Sequence, residues 1–190
     1  MPYNSVTKTY TKTCNGRYLL GSERGEFLKE LKTLPADVET IDINLVQNLE
    51  RLPDLGHYTV LKSLNLHSIG LKVFDCSLPD SLEILDISFN NISEMTSSLP
   101  NRLKALDISF NLIKALPALP NTLTHLGCTM CPIETLPPLP PTLEVLYATS
   151  CGLTSLPDLP KSLTTLCVLS NNIKTFPSFS PTITTLKIDW

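Results

Sequence analysis

The sequence lacks an excess of basic residues. Its 15 lysines and arginines are outnumbered by 18 aspartates and glutamates, which gives a net charge of −3 over 190 residues. A protein that binds nucleic acids through their phosphates carries a basic face. The composition therefore argues against a general nucleic-acid-binding function.

Long hydrophobic runs are also missing. No stretch reaches the roughly 18 apolar residues that a transmembrane helix needs. The first residues, MPYNSVTKTYTKTC, contain no apolar run of the kind found in secretory signals. We therefore expect a cytoplasmic protein without a membrane span. A secreted protein whose signal has been removed is the alternative.

Cysteines are too few for a disulfide scaffold. The only metal-like spacing is Cys128-Thr-Met-Cys131, and no second CxxC or paired histidines follow it. We expect no metal, no cofactor and free thiols, which suit a reducing cytosol. The six cysteines are Cys14, Cys76, Cys128, Cys131, Cys151 and Cys167.

The sequence does have many prolines, and they follow a period. A Leu-Pro dipeptide begins at residues 78, 99, 119, 139 and 159, at steps of 21, 20, 20 and 20. Two of the units read LPDSLEILDISFNNISEM and LPNRLKALDISFNLIKAL. A period of about 20 to 29 residues with this leucine spacing is the signature of a leucine-rich repeat.

The pattern within one unit predicts its structure. The alternating apolar residues of LxxLxI indicate a short strand with one buried face. The following Asn90, Asn111 and Asn171 can bond backbone groups of the turn, and Cys131 and Cys151 replace asparagine in two units. We predict an α/β leucine-rich-repeat solenoid. Its parallel sheet lines the concave face, and its convex side is extended, rich in proline and without helices.

Two regions are expected along the chain. Residues 1–33 are predicted to form an N-terminal cap, with a β-hairpin that turns at Asn15-Gly16 and one helix that presents Phe27, Leu28 and Leu31 on one face. Residues 34–190 are predicted to form about eight leucine-rich repeats, the last one incomplete.

Over about residues 34–190 the units resemble the short bacterial repeat LPxxLxxLxVxxNxLxxLP of YopM-like and IpaH-like effectors. The resemblance implies a protein-binding scaffold, delivered by a pathogen into the host cytosol, that alters host signalling or immune responses. IpaH-like effectors also carry a ubiquitin-ligase domain with a catalytic cysteine, to which nothing in this chain corresponds. The alternative function is therefore the substrate-recognition domain of a ubiquitin ligase whose catalytic domain is absent.

The repeat register also predicts which side chains face outward from the concave strands. An acidic first half is followed by an aromatic and apolar patch, and such surfaces suit protein recognition. Phe89 and Phe110 are expected to pack between coils. The candidate partner-binding residues are Asp86, Asp107, His125, Val145, Tyr147, Cys167 and Leu169.

No enzymatic activity is predicted. The nearest pairing of a thiol with a base on this face is Cys167 with His125, two coils apart. That separation is near 10 Å, too far for an activating hydrogen bond.

The last strand is expected to leave an open edge at Leu186, Ile188 and Trp190. Uncovered parallel edges favour association. We therefore expect either that the chain is a fragment of a longer protein or that it forms a homodimer through this edge.

Overall fold

The computed structural model describes residues 2–18 and 21–189. In this part of the chain it contains one helix and twelve strands. They are β1 (Tyr3–Asn4), β2 (Thr9–Tyr18), α1 (Ser22–Lys32), β3 (Thr40–Gln47), β4 (Ser63–Asn65), β5 (Val73–Phe74), β6 (Ile84–Asp86), β7 (Glu94–Met95), β8 (Ala105–Asp107), β9 (His125–Gly127), β10 (Val145–Tyr147), β11 (Thr165–Cys167) and β12 (Thr185–Lys187).

Ten strands form one sheet in the order β1-β2-β3-β4-β6-β8-β9-β10-β11-β12. All neighbours from β2 onward are parallel. The register repeats from coil to coil, since Leu64 lies opposite Leu85 and Leu85 opposite Leu106. This is the register that the leucine spacing predicts, and the solenoid prediction is confirmed.

The phased Leu-Pro dipeptide marks a turn that is repeated in successive coils. The carbonyl oxygen of Pro100 accepts a hydrogen bond from the backbone N–H of Leu103 at 3.1 Å, and Pro120 and Leu123 repeat the contact at 3.0 Å. Proline presets φ for such a turn. The turn delivers the leucine into the interior, where both Leu103 and Leu123 are fully buried.

The asparagine positions satisfy backbone groups inside the stack. Oδ1 of Asn90 accepts from the N–H groups of Ile69 and Leu71 at 3.1 and 3.0 Å. The Cys131 thiol donates instead to the carbonyl of Ile108 at 3.1 Å, and the Cys151 thiol to that of Cys128 at 3.0 Å. The predicted replacement of asparagine by cysteine is confirmed, although each thiol makes fewer contacts than the amide.

From residue 33 onward the convex side has no helix among the described residues, and its paired segments are β5 with β7 and a single bridge between Glu50 and Leu71. The segments that return from the convex side to the next concave strand are extended, as the prolines predict. The apolar interior therefore lies between the concave sheet and these segments. Fully buried leucines and isoleucines fill it along the stack.

The N-terminal region contains the expected hairpin and helix, but the hairpin turn lies elsewhere. β1 pairs antiparallel with the start of β2, so the chain turns at residues 5–8. The prediction of a turn at Asn15-Gly16 is wrong, because β2 runs through these residues parallel to β3, with an irregularity between Thr13 and Arg17. Parallel strands need a crossover connection, and α1 supplies it. The division into a cap and a repeat domain at residue 33 stays a prediction.

Helix α1 packs on the first coil through the face that the sequence indicates. Phe27 and Leu31 are buried, and Leu28 is half-buried. The Lys12 ammonium lies 4.7 Å from the centre of the Phe27 ring and 2.6 Å from Oε2 of Glu30. This contact ties the helix to β2.

Candidate protein-binding surface

The outward side chains of the concave strands form columns that cross the coils. In the central column Asp86 lies opposite Asp107, Asp107 opposite Gly127, and Gly127 opposite Tyr147. The neighbouring column places His125 opposite Val145. Five of the seven predicted binding residues are therefore brought together on adjacent strands.

These residues line a shallow depression of about 270 Å³ in the middle of the concave face. We call it the Gly127 pocket. Tyr147 forms one wall and is 47 % exposed, whereas Ile84 on the far side is 48 % exposed. The outward residues that line the pocket are Ile84, Asp86, Ala105, Asp107, His125, Gly127, Val145 and Tyr147.

The two aspartates are held in place by the backbone. Oδ1 of Asp107 accepts from the N–H of Ser109 at 2.8 Å. Oδ1 of Asp86 accepts from the N–H and the hydroxyl of Ser88 at 2.8 and 2.6 Å. Their carboxylates are thus oriented before any partner arrives, which lowers the entropy cost of binding.

Charge is balanced differently on the concave face and along its edge. At the edge, Glu39 pairs with Lys8 and Lys62 at 3.2 and 2.7 Å, and Glu83 pairs with Lys104 at 2.7 Å. These lysines hold the pKa values of Glu39 and Glu83 below the usual range, chiefly through their hydrogen bonds. Asp86 and Asp107 have no ion pair within the described residues. The concave face therefore presents uncompensated negative charge.

Two of the predicted binding residues, Cys167 and Leu169, are not fully exposed although they stand at outward positions. Cys167 lies in the central column between Tyr147 and Lys187. It is only 5 % exposed, because its short side chain stands between two long ones. Cys167 therefore offers little contact area, and its role in partner binding stays a prediction. Leu169 is half-buried at the next outward position.

An exposed aromatic strip borders the concave face, and the sequence reasoning missed it. Phe89 and Phe110 do stack across coils, with ring centres 4.1 Å apart, but they are still 49 % and 41 % exposed. The His67 ring continues the strip 4.8 Å from Phe89, and Met130 follows in the next coil. The recurrence of large apolar residues just before the asparagine position was the available signal.

The backbone of this strip is strained. Phe89, Phe110 and Met130 all have positive φ, at 55°, 57° and 58°. A non-glycine residue in this conformation costs about 1–2 kcal/mol. The same conformation recurs at the equivalent coil position in Ser68, Ser150 and Ser170, so it belongs to the turn of each coil rather than to the large apolar side chains.

Three of the buried thiols, those of Cys76, Cys128 and Cys131, are poor nucleophiles. Burial raises the pKa of Cys131 from 9.0 to about 11 and that of Cys76 to about 12. A side-chain hydrogen bond to Cys151, together with burial, raises the pKa of Cys128 well above its usual range. These thiols stay protonated near neutral pH, and the thiolate is the form that attacks or binds metal.

Within residues 2–18 and 21–189, no cluster of three or more His, Cys, Asp or Glu side chains is arranged to hold a metal ion. No helix in that part of the chain is long and apolar enough to cross a membrane.

The predicted self-association edge lies on β12 and just after it. Leu186 is 42 % exposed and Ile188 is half-buried. Trp190 lies outside the described residues. A homodimer through this edge stays a prediction.

Comparisons with known proteins agree with this geometry. The family model described as Leucine Rich Repeat matches residues 81–101. The fold is that of a leucine-rich-repeat solenoid. A search of curated protein sequences gives no significant match.

The solved structures that resemble the solenoid include two YopM chains. The leucine-rich effector protein YopM from Yersinia pestis is 28 % identical, with a TM-score of 0.72 over 83 % of this chain and 49 % of that chain. YopM from Yersinia enterocolitica WA-314 is 24 % identical, with a TM-score of 0.54 over 82 % of this chain and 47 % of that one. The solenoid thus spans about half the length of either YopM chain. Scaffolds of this fold typically bind other proteins.

Proposed function

We propose that this solenoid is a non-catalytic effector of YopM type that binds a host protein in the host cytosol and modulates signalling or immune responses. The likeness to the Yersinia pestis effector supports the effector role. The observation that carries the binding role is the Gly127 pocket, with oriented carboxylates and an exposed tyrosine on a rigid sheet.

The concave face combines the features of a protein-recognition surface. Half-exposed Tyr147 is of a residue type that often dominates binding energy, and half-exposed Phe89 and Phe110 are of a type enriched at interfaces. The uncompensated charges of Asp86 and Asp107 steer a basic partner towards the same area. The parallel strands fix all of these groups relative to one another.

The binding role is tested by capture from eukaryotic cytosol followed by mass spectrometry. Wild type is compared with the double variant Tyr147→Ala/Asp107→Lys, which alters two outward side chains and leaves the leucine interior intact. The matched control is Asp158→Lys, which introduces the same charge at an exposed position of the convex side. Circular dichroism establishes that all three proteins are folded.

We expect a host protein that is captured by wild type and by Asp158→Lys and lost from the double variant. Equal capture by all three proteins would move the binding site away from the concave face. Capture of no protein by folded wild type would contradict the scaffold proposal itself.

A further inference from the structure

The Gly127 pocket is a slot whose floor lacks a side chain. Gly127 separates Asp107 from Tyr147 in the central column, one strand away from each. Adjacent strands lie about 4.8 Å apart, so these two backbones are about 10 Å apart. Because the Asp107 side chain reaches over Gly127, the open part of the depression of about 270 Å³ lies between its carboxylate and the Tyr147 ring.

The absence of a side chain at Gly127 also positions the carboxylate. A Cβ on Gly127 would lie 2.7 Å from Oδ1 and 3.0 Å from Cγ of Asp107. The Asp107 side chain thus leans into the slot, held by the Ser109 N–H. No donor within the described residues contacts its second oxygen, Oδ2.

The negative charge of the slot favours a positively charged occupant. None of the outward strand positions between residues 84 and 169 is a lysine or an arginine. His125 lines the pocket and shares a hydrogen bond of 2.8 Å with the Thr124 hydroxyl through Nδ1, and Lys104 at the edge is paired with Glu83 at 2.7 Å. Two aspartates without an ion pair therefore face the slot, and a cation of a partner would complete the charge balance.

The walls of the slot favour arginine over lysine. A guanidinium is planar, stacks on aromatic rings and pairs with carboxylates through directed hydrogen bonds, whereas an ammonium is a compact and strongly hydrated charge. The exposed ring of Tyr147 supplies the stacking surface, and Asp107 supplies the acceptor. Ile84, Ala105 and Val145 line the pocket with apolar surface for the aliphatic part of the side chain.

We infer that the Gly127 pocket binds an arginine side chain of the protein partner, between the Asp107 carboxylate and the Tyr147 ring. This inference rests on the proposed function, because it specifies the chemistry by which the concave face recognises its partner. It makes an exposed arginine, rather than a general basic surface, the feature that the partner must present.

The test is a titration of the isotope-labelled full chain with N-acetyl-arginine amide, followed by two-dimensional NMR. N-acetyl-lysine amide and the uncharged isostere N-acetyl-citrulline amide are the comparison probes. Asp107→Asn removes the charge in the slot. Asp42→Asn is the matched control, since Asp42 is an outward aspartate of the same column on β3, where its Oδ1 accepts from Asn44.

We expect saturable shifts of the Gly127 and Tyr147 amides with the arginine probe, weaker shifts with lysine and none with citrulline. Asp107→Asn should weaken the arginine affinity at least about tenfold, the loss of one charge-assisted hydrogen bond, whereas Asp42→Asn should leave it unchanged. Tyr147→Leu should weaken it several-fold, and Tyr147→Phe should retain it.

Equal shifts with citrulline, equal effects of Asp42→Asn and Asp107→Asn, or no saturable shift at Gly127 would each overturn the inference. Its failure is separable from that of the proposed function. A host protein that is lost from the double variant, combined with no arginine binding, overturns the arginine inference alone. Arginine binding without any captured protein overturns the host-binding proposal alone.

Discussion

The side chain of Asp107 occupies space that Gly127 leaves open. Any methyl group at Gly127 would lie 2.7 Å from the Asp107 carboxylate and 3.2 Å from the hydroxyl of Ser109. Since Asp107 also accepts from the Ser109 N–H at 2.8 Å, the three residues form one unit. The geometry of the acidic site thus depends on a glycine in the neighbouring coil.

Gly127→Ala should displace the Asp107 carboxylate and break its bond to the Ser109 N–H. The expected loss is about 0.5–1.5 kcal/mol in the free energy of unfolding, the value of one hydrogen bond. Urea denaturation measures it. In Asp107→Ala/Gly127→Ala the two losses should be less than additive, because both changes remove the same contact. Fully additive losses would contradict the coupling of these residues.

Two other glycines should respond to alanine in opposite directions. Gly25 lies in α1 with no atom near the added methyl group, so Gly25→Ala should stabilise the protein by about 0.5–1 kcal/mol. Gly70 has φ of +73°, and its Cβ would lie 2.5 Å from the Asn48 nitrogen. Gly70→Ala should cost about 2 kcal/mol or more. Thermal unfolding of both variants checks the pair, and equal effects would contradict the backbone geometry.

The asparagine and cysteine positions of the solenoid should differ in their contribution to stability. Asn111 accepts from the N–H of Ile92 at 3.0 Å and donates to the carbonyls of Ile87 and Ile108 at 2.9 and 2.8 Å. Asn111→Ala should cost about 1–3 kcal/mol by leaving buried groups unpaired. Cys131→Ala should cost less, because it removes one weak S–H donor. Urea unfolding of the two variants compares them directly, and a larger loss at Cys131 would contradict this ranking.

The buried cysteines should be slow to react and should make the fold sensitive to alkaline pH. In a Cys14→Ser background, the five thiols described as buried should react with Ellman's reagent only after unfolding.

A folded pKa of about 11 at Cys131 exceeds its ordinary 9.0. The unfolded thiol therefore loses its proton first, and the stability contributed by this group is complete below pH 9.0 and falls as the pH rises towards 11. Cys131→Ser should flatten that decline, and an unchanged decline would contradict the assignment.

The repeat pattern predicts the solenoid and its register because every coil uses the same leucine positions. Asp86, Asp107, His125, Val145 and Tyr147 all lie on the face to which that period assigns them. Exposure within a column is harder to predict, because it depends on the lengths of the neighbours on both sides. Cys167 is buried because the longer side chains of Tyr147 and Lys187 flank it. Gly127 has no side chain, so the Asp107 carboxylate can lie over it.

Predictions from local sequence were wrong where pairing with a distant segment of the chain determines the conformation. Asn15-Gly16 is a strong hairpin signal, yet β2 continues through it because pairing with β3 extends the sheet of the solenoid. The exposure of Phe89 and Phe110 follows from a positive φ just before the asparagine position. That conformation is set by stacking with the next coil rather than by the residues themselves.

Site-specific photo-crosslinking tests the central claim, recognition of a host protein by the concave face, most directly. Benzoylphenylalanine replaces Tyr147 in the pocket wall in one variant and Asp158 on the convex side in another. Both are then irradiated in eukaryotic cytosol. We expect one defined crosslinked host protein from position 147 and none from position 158. The same crosslink from both positions, or a crosslink from 158 alone, would contradict concave-face recognition.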